Sequence, residues 1–236
     1  MNIATLTLKL AIGSLLLLVI GVTGTRAEVF GYQTGLLMFS LAGLLSFISI
    51  SASALFTRRA KQEKDRQRLN KAALIALPAI FFFSISLFHG AGAPLIHDVS
   101  TDTQNPPEFI KAATLRKPSD NDLHYAPANI PLQRQAYPTL KTLESSHTVT
   151  EAQKRAYKIA SEMGWLVYYQ QEGHIEAQAR SFWFGFIDDI VIRIQVTESG
   201  TKIDIRSASR VGKGDLGANA KRIMAFSELF NQDDFI

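Results

Sequence analysis

The chain has 236 residues, of which 47% are hydrophobic and 19% are charged, and its formal net charge is +4. So many apolar residues exclude a disordered chain. The absence of cysteine excludes a disulfide scaffold, thiolate catalysis and a cysteine-ligated metal site. The basic excess does not indicate nucleic-acid binding, because residues 58–71 alone hold seven Lys or Arg and two acidic residues. We therefore expect no nucleic acid among the partners.

Three apolar stretches fill residues 1–92, at about 5–24, 31–56 and 72–92. Each can supply the ~20 residues that a helix needs to cross a bilayer core of ~30 Å. If these stretches were buried core helices, residues 1–92 would contain too little polar sequence to cover them. The sequence therefore predicts three transmembrane helices and a membrane as partner.

The charges between these stretches predict the orientation. The basic loop 58–71 is expected in the cytoplasm, whereas the first loop offers only Arg26 with Glu28. This places the N-terminus in the cytoplasm and the C-terminal domain in the periplasm, as in a multi-pass protein of a bacterial inner membrane. An alternative makes the first stretch a cleaved signal peptide, with Thr25 and Ala27 before the cut, and leaves the domain on the same side.

Two regions follow the membrane part. Residues 94–147 are rich in proline and predict extended chain and turns that lie over a sheet. Residues 148–236 predict an α+β domain in the order helix, four antiparallel strands, helix, with both helices on one face of the sheet. A capping box at Thr148 and Glu151 begins the first helix, and Asp215 caps a last helix over 216–230.

Two hairpins give the strand register. A loop over 171–173 places Tyr169 opposite Ile175, Val167 opposite Ala177 and Trp165 opposite Ala179. A two-residue turn at Ser199 and Gly200 joins the other two strands. It sets Val196 opposite Ile203, Ile194 opposite Ile205, Ile192 opposite Ser207 and, on the other face, Arg193 opposite Arg206.

Three motifs carry a family resemblance: HDVSTDTQNPPEF at 97–109, FIDDIVIRI at 186–194 and DIRSASRVGKGDLGANAKRI at 204–223. They resemble the domain of unknown function 1499 family over about residues 94–230. Three spans in front of the domain also occur among bacterial members. The resemblance implies a membrane-linked or exported α+β domain, and it transfers no activity, substrate or catalytic residue.

An anion site is the first functional hypothesis. Facing arginines repel each other unless something neutralises them, and Glu176 points to the same polar face as Arg193 and Arg206. Arg210 and Lys213 lie in a Gly-rich loop before a helix N-terminus, where backbone N–H groups favour anions. The alternative is that carboxylates of the sheet simply pair with the arginines.

The 97–102 loop and an aromatic run supply two further hypotheses. His97, Asp98 and Asp102 could act as a base or bind a metal, although the same residue types form ordinary turns and no second histidine lies at ligand spacing. We expect neither metal nor cofactor. Trp183 and Phe184 are candidates for the membrane interface, with a core plug as the alternative.

Three functions stay open at this point. The first is a non-enzymatic inner-membrane protein whose extracytoplasmic domain binds a small anionic or lipid-like ligand or a membrane-protein partner. The second is a structural or assembly component of an envelope complex, in which the arginines form internal salt bridges. The third is a hydrolase that uses the 97–102 loop.

Overall fold

The computed structural model describes residues 2–232, which form two compact units. The first unit runs to Ala91 and includes the short segment Phe182–Gly185. The second unit comprises Gly92–Ser181 and the chain from Phe186 onward.

The first unit is a group of three long helices: α1 (Ile3–Arg26), α2 (Tyr32–Phe56) and α3 (Glu63–Gly90). All three are long and apolar enough to cross a membrane, as the sequence predicts. Helix α3 begins earlier than the predicted span, inside the basic loop. Its Asp65 accepts a hydrogen bond of 2.7 Å from Asn2 Nδ2, so α1 and α3 begin at the same end of the group.

The second unit is an antiparallel sheet with two long helices, which confirms the predicted α+β fold. The strands lie in the order β1-β6-β5-β4-β3, and β2 also pairs with β6. Helix α6 starts with the predicted capping box at Thr148, and α7 starts two residues later than predicted. The elements are β1 (Asp98–Ser100), α4 (Ala112–Leu115), α5 (Asn129–Ala136), β2 (Leu143–Ser145), α6 (Val149–Glu162), β3 (Leu166–Gln171), β4 (His174–Arg180), β5 (Ile187–Thr197), β6 (Gly200–Ser209) and α7 (Ala218–Phe230).

One face of the sheet carries the apolar core. Alternate residues of β5 and β6, such as Ile192 and Ile205, pack beneath α6 and α7. On this side Trp165 stacks on Phe226, with their ring centroids 5.5 Å apart. Burial along β5 and β6 is nearly continuous because both faces are covered, so the period of two separates apolar from charged side chains and not buried from exposed ones.

The first hairpin follows the predicted register only in part. Val167 lies opposite Ala177 as predicted, but a bulge at Tyr168 moves Tyr169 opposite Glu176, and Gln170 takes the place facing Ile175. The predicted Tyr169–Ile175 pair is therefore wrong. The extra residue of the bulge turns Tyr168 toward the polar face, where its hydroxyl donates to Glu176.

The second hairpin is shifted by two residues from the prediction. Thr197 pairs with Gly200, so Glu198 and Ser199 form the turn. The predicted Arg193–Arg206 pair is wrong: Arg193 lies opposite Asp204, and Arg206 lies opposite Val191. A shift of two leaves each side chain on its predicted face.

The isoleucine pairs change with this shift. The predicted pairs Val196–Ile203, Ile194–Ile205 and Ile192–Ser207 are wrong, although each side chain lies on its predicted face of the sheet. In the structure Ile194 lies opposite Ile203, and Ile192 lies opposite Ile205.

Candidate functional site: the ionic face of the sheet

The face of the sheet opposite α6 and α7 is lined by charged side chains that are buried. Strands β1, β4, β5 and β6 contribute them, and the chain that follows β1, between residues 101 and 125, covers them. We call this the ionic face. Its charged members from the sheet are Asp98, Glu176, Asp189, Arg193, Asp204 and Arg206.

Arg206 is the most completely engaged cation of the ionic face. Its Nε and Nη2 donate to the two carboxylate oxygens of Asp98 at 3.0 and 2.6 Å. The remaining bonds, to the carbonyls of Pro107 and Leu123 at 3.1 and 2.6 Å, hold the covering chain. The rings of Phe109 and Tyr125 lie 5.1 and 5.4 Å from the guanidinium carbon. The side chain thus ties the covering segment to the sheet.

Tyr125 itself is affected by this burial. Removal from water, together with the negative charge of Asp98, raises the pKa of Tyr125 to about 12. The hydroxyl donates to Gln133 Oε1 at 3.0 Å. It is therefore a neutral hydrogen-bonding group and not a base at physiological pH.

Asp189 pairs with two arginines at once. Arg210 donates to both of its oxygens, at 3.0 and 2.8 Å, and Arg116 Nε donates at 2.8 Å. Burial disfavours the charge of Arg210, but Asp189 outweighs it and raises the pKa of Arg210. The Nη1 atoms of Arg210 and Arg116 donate to the carbonyls of Leu115 and Asn121 in the covering segment, and Arg116 Nη2 donates to the carbonyl of Ala208 in β6.

The carboxylate of Glu176 occupies a position on this face at which backbone N–H groups would bind an anion. Its carboxylate accepts hydrogen bonds from the backbone N–H groups of Ile110, Lys111 and Ala112 at 2.5 to 3.1 Å. His174 Nε2 lies 2.9 Å away. Burial alone would raise the pKa of Glu176, but His174 and the three N–H groups hold it below the usual value. Consecutive N–H groups of this kind make an anion cradle, which an internal side chain fills here.

Arg193 and Lys213 differ from the other predicted anion-binding residues. Arg193 Nη2 donates to Asp204 at 2.8 Å and to Asp102 at 3.1 Å, while its buried Nε has no partner among the described residues. Lys213 is exposed in the loop before α7. The structure therefore brings Glu176, Arg193, Arg206 and Arg210 to one face, mostly in internal ion pairs, and leaves Lys213 at the surface.

The three catalytic candidates are part of the same scaffold. Asp98 is 2% exposed and committed to Arg206. The carbonyl of His97 accepts from Ser209 N at 2.8 Å, which fixes the strand end. Burial opposes ionisation of Asp102, but the N–H groups of Asn105 and Gln104, followed by Arg193, lower its pKa. Among residues 2–232 no group of three His, Asp or Glu could hold a metal ion.

A groove of about 370 Å³ lies beside this loop, lined by Thr101, Thr103, Gln133, Arg134 and Tyr137 among others. Gln133 forms its inner wall, and its amide exchanges two hydrogen bonds with the backbone of Ser100, at 3.0 and 2.7 Å. Sequence reasoning missed Gln133, Arg116 and Tyr168. Each is an isolated polar residue without a motif, and only the bulge at Tyr168 turns that ring inward.

Trp183 and Phe184 lie in the first unit and not in the core of the sheet. Trp183 packs on Phe82 of α3 with ring centroids 4.3 Å apart, and Phe184 meets Phe39 of α2 edge to face at 5.5 Å. At the end of α1, Arg26 donates to the carbonyl of Phe182. These aromatic residues are thus part of the helix group that is apolar enough to span a membrane.

The fold and the ionic face together define an α+β domain attached to three candidate membrane helices. The family model for DUF1499, a protein of unknown function, matches residues 98–230, which is more than half of the chain. The chain belongs to the DUF1499 family, as its motifs predict. No curated protein and no solved structure matches it.

Proposed function

We propose that this chain is a multi-pass inner-membrane protein whose sheet domain lies in the periplasm and acts as a structural component of a membrane assembly. The observation that carries the proposal is the commitment of Arg206 to Asp98 and to two carbonyls of the covering chain. A receptor for a small anion keeps a cation available to its ligand. Here the buried cations Arg206 and Arg210 form ion pairs inside the domain, with Asp98 and Asp189, and so stabilise its fold.

The two other functions receive less support from the geometry. The anion hypothesis rests on two facing arginines and on the N–H groups of the loop before α7. Arg193 faces Asp204 instead, and the carboxylate of Asp215 accepts hydrogen bonds from the N–H groups of Gly217 and Asn219. The hydrolase hypothesis needs a carboxylate that is free to act as a base, whereas Asp98 and Asp102 each accept hydrogen bonds from internal donors.

Replacement of Arg206 separates the structural role from the receptor role. Arg206→Ala leaves the buried Asp98 charge unpaired, so the structural role predicts a loss of about 3–5 kcal/mol in the free energy of unfolding. The matched control is Arg134→Ala, since Arg134 is exposed and donates one hydrogen bond of 3.0 Å to Thr103. Unfolding of the full chain in detergent measures both. Loss of a co-purifying small molecule from a stably folded Arg206→Ala protein, seen by native mass spectrometry, would instead establish the receptor.

The orientation can be tested without a background signal, because the chain has no cysteine. Gln67→Cys lies in the basic region and Ser119→Cys in the sheet domain, and both positions are exposed. In spheroplasts, a membrane-impermeant maleimide should label Ser119→Cys directly and Gln67→Cys only after lysis. The reverse pattern would contradict the periplasmic placement.

A further inference from the structure

Both connections between the two units leave the second unit at the same end of its sheet. The chain from α3 reaches β1 at Asp98, and the segment 182–185 departs after β4 and returns before β5. Backbone hydrogen bonds join these points to the end of β6, since Ser209 N donates to His97 O at 2.8 Å and Arg210 N to Ile187 O at 3.0 Å. This end of the sheet is therefore tethered twice to the helices that are apolar enough to span a membrane.

A small apolar and basic patch lies beside this end of the sheet. The loop after Arg210 packs on the chain that arrives from α3, so that a Cβ added at Gly214 would lie 3.3 Å from Leu95 Cα. Leu95 is 80% exposed and Leu216 is 53% exposed. Lys213 is exposed in the same loop as Leu216. We call Leu95, Lys213 and Leu216 the loop patch.

The backbone at Leu216 is unusual for a leucine. Its φ is +55°, and it is the only residue other than glycine with positive φ among the described residues of the second unit. Left-handed backbone favours glycine or asparagine, and strain of this kind persists where the surrounding structure imposes it. An exposed leucine held in this conformation indicates a surface that uses its apolar side chain.

We propose that the loop patch rests on the lipid surface of the membrane that the helices cross. Leu95 follows the end of α3 at Gly90 by five residues, so the chain can carry it at most about 18 Å away. Exposed leucines close to a bilayer gain free energy by entering the boundary between headgroups and acyl chains. Lys213 then meets the lipid phosphates, whose charge is opposite to its own. This contact is a property of the surface and does not depend on the assembly role.

Fluorescence quenching by lipids tests the contact in the full chain. Single cysteines at Leu95→Cys and Leu216→Cys carry an environment-sensitive dye, and the protein is reconstituted in vesicles of phosphatidylethanolamine and phosphatidylglycerol with nitroxide-labelled lipid. The matched control is Val196→Cys, which is 76% exposed. It lies eight residues along β5 from Asp188, about 27 Å from the tethered end.

We expect a dye at either patch position to be quenched at least about twofold more than a dye at Val196→Cys, because the patch would lie at the headgroup boundary. Replacing phosphatidylglycerol by phosphatidylcholine should reduce the quenching at Leu216→Cys, and Lys213→Glu should reduce it in the anionic vesicles. Equal quenching at the three positions would overturn the proposal. So would a blue-shifted dye at Leu216→Cys that the nitroxide lipid does not quench, because a protein would then cover the patch.

Discussion

The two faces of the sheet are covered by different chemistry. On one face, isoleucines such as Ile192 lie beneath two long amphipathic helices. On the other face, charged side chains such as Asp189 are covered by the segment 101–125. The helix of this segment, α4, has only four residues. Apolar burial is non-directional and tolerates small shifts. A buried ion pair needs its partner in place, so this cover depends on specific residues.

Removing Asp189 should have the largest effect, because it separates two arginines from their common partner. Asp189→Ala leaves Arg116 and Arg210 without that carboxylate in a buried site, and we expect a loss of about 3–5 kcal/mol in the free energy of unfolding. The readout is the fluorescence of Trp165, which stacks on Phe226 in the apolar core. A Trp183→Phe background removes the other tryptophan, since the chain has two.

The control for this variant is Glu144→Ala, which removes an exposed carboxylate from β2 in the same sheet. It should change the stability by less than about 0.5 kcal/mol. If both variants unfold at the same denaturant concentration as the parent, the ionic face does not hold the cover in place.

Glu176→Gln should have an intermediate effect that depends on pH. At neutral pH the variant loses charge-assisted bonds from three N–H groups, which we expect to cost about 1–3 kcal/mol. Because the pKa of Glu176 in the fold lies below its usual value of 4.5, the carboxylate stabilises the fold above pH 4.5. That contribution is lost as the pH falls through the folded-state pKa.

The measurement is denaturant unfolding of parent and variant at a series of pH values from neutral to acidic. The difference in stability between the two proteins should shrink toward low pH. A difference that is constant with pH would show that Glu176 acts through its shape alone.

These effects concern features that the sequence predicts to different degrees. The apolar face follows from alternation along β5 and β6, and the burial of Ile194 and Ile203 does not depend on the exact turn. The predicted position of the turn is wrong because Gly200 is not a turn residue. It is the first residue of β6, where a side chain would clash with β2. A Cβ there would lie 2.1 Å from the carbonyl oxygen of Ser145 in β2. That strand is three residues long in a proline-rich segment and leaves no periodic signal.

The ionic face is predictable in its residues but not in its pairing. Glu176, Arg193 and Arg206 are assigned correctly to one face by the period of two. Their partners lie far away in sequence, such as Asp98 for Arg206, and a local pattern contains no information on such contacts. The helix α5 is missed for a related reason. Its Pro131 suggests extended chain, yet it lies in the first turn, where a missing N–H costs nothing.

A smaller effect is expected on the apolar face. Ile192→Val removes one methylene from a fully buried side chain, and we expect a loss of about 0.5–1.5 kcal/mol. The same Trp165 fluorescence measures it. The matched control is Val196→Ala, because Val196 is 76% exposed on the same strand. A loss that equals that of Asp189→Ala would contradict the contrast between a tolerant apolar cover and a specific ionic cover.

The smallest effect on stability is expected at Lys213, and it sharpens the contrast within one loop. Arg210 and Lys213 are three residues apart, yet Arg210 is bonded to Asp189 and Lys213 is exposed. Lys213→Ala should therefore change the free energy of unfolding in detergent by less than about 0.5 kcal/mol. If the loop patch rests on lipid, the same variant should lower the lipid quenching of a dye at Leu216→Cys. If Lys213→Ala lowers the lipid quenching in vesicles but not the free energy of unfolding in detergent, Lys213 acts at the membrane surface. If it also lowers the free energy of unfolding in detergent, Lys213 contributes to the ionic face.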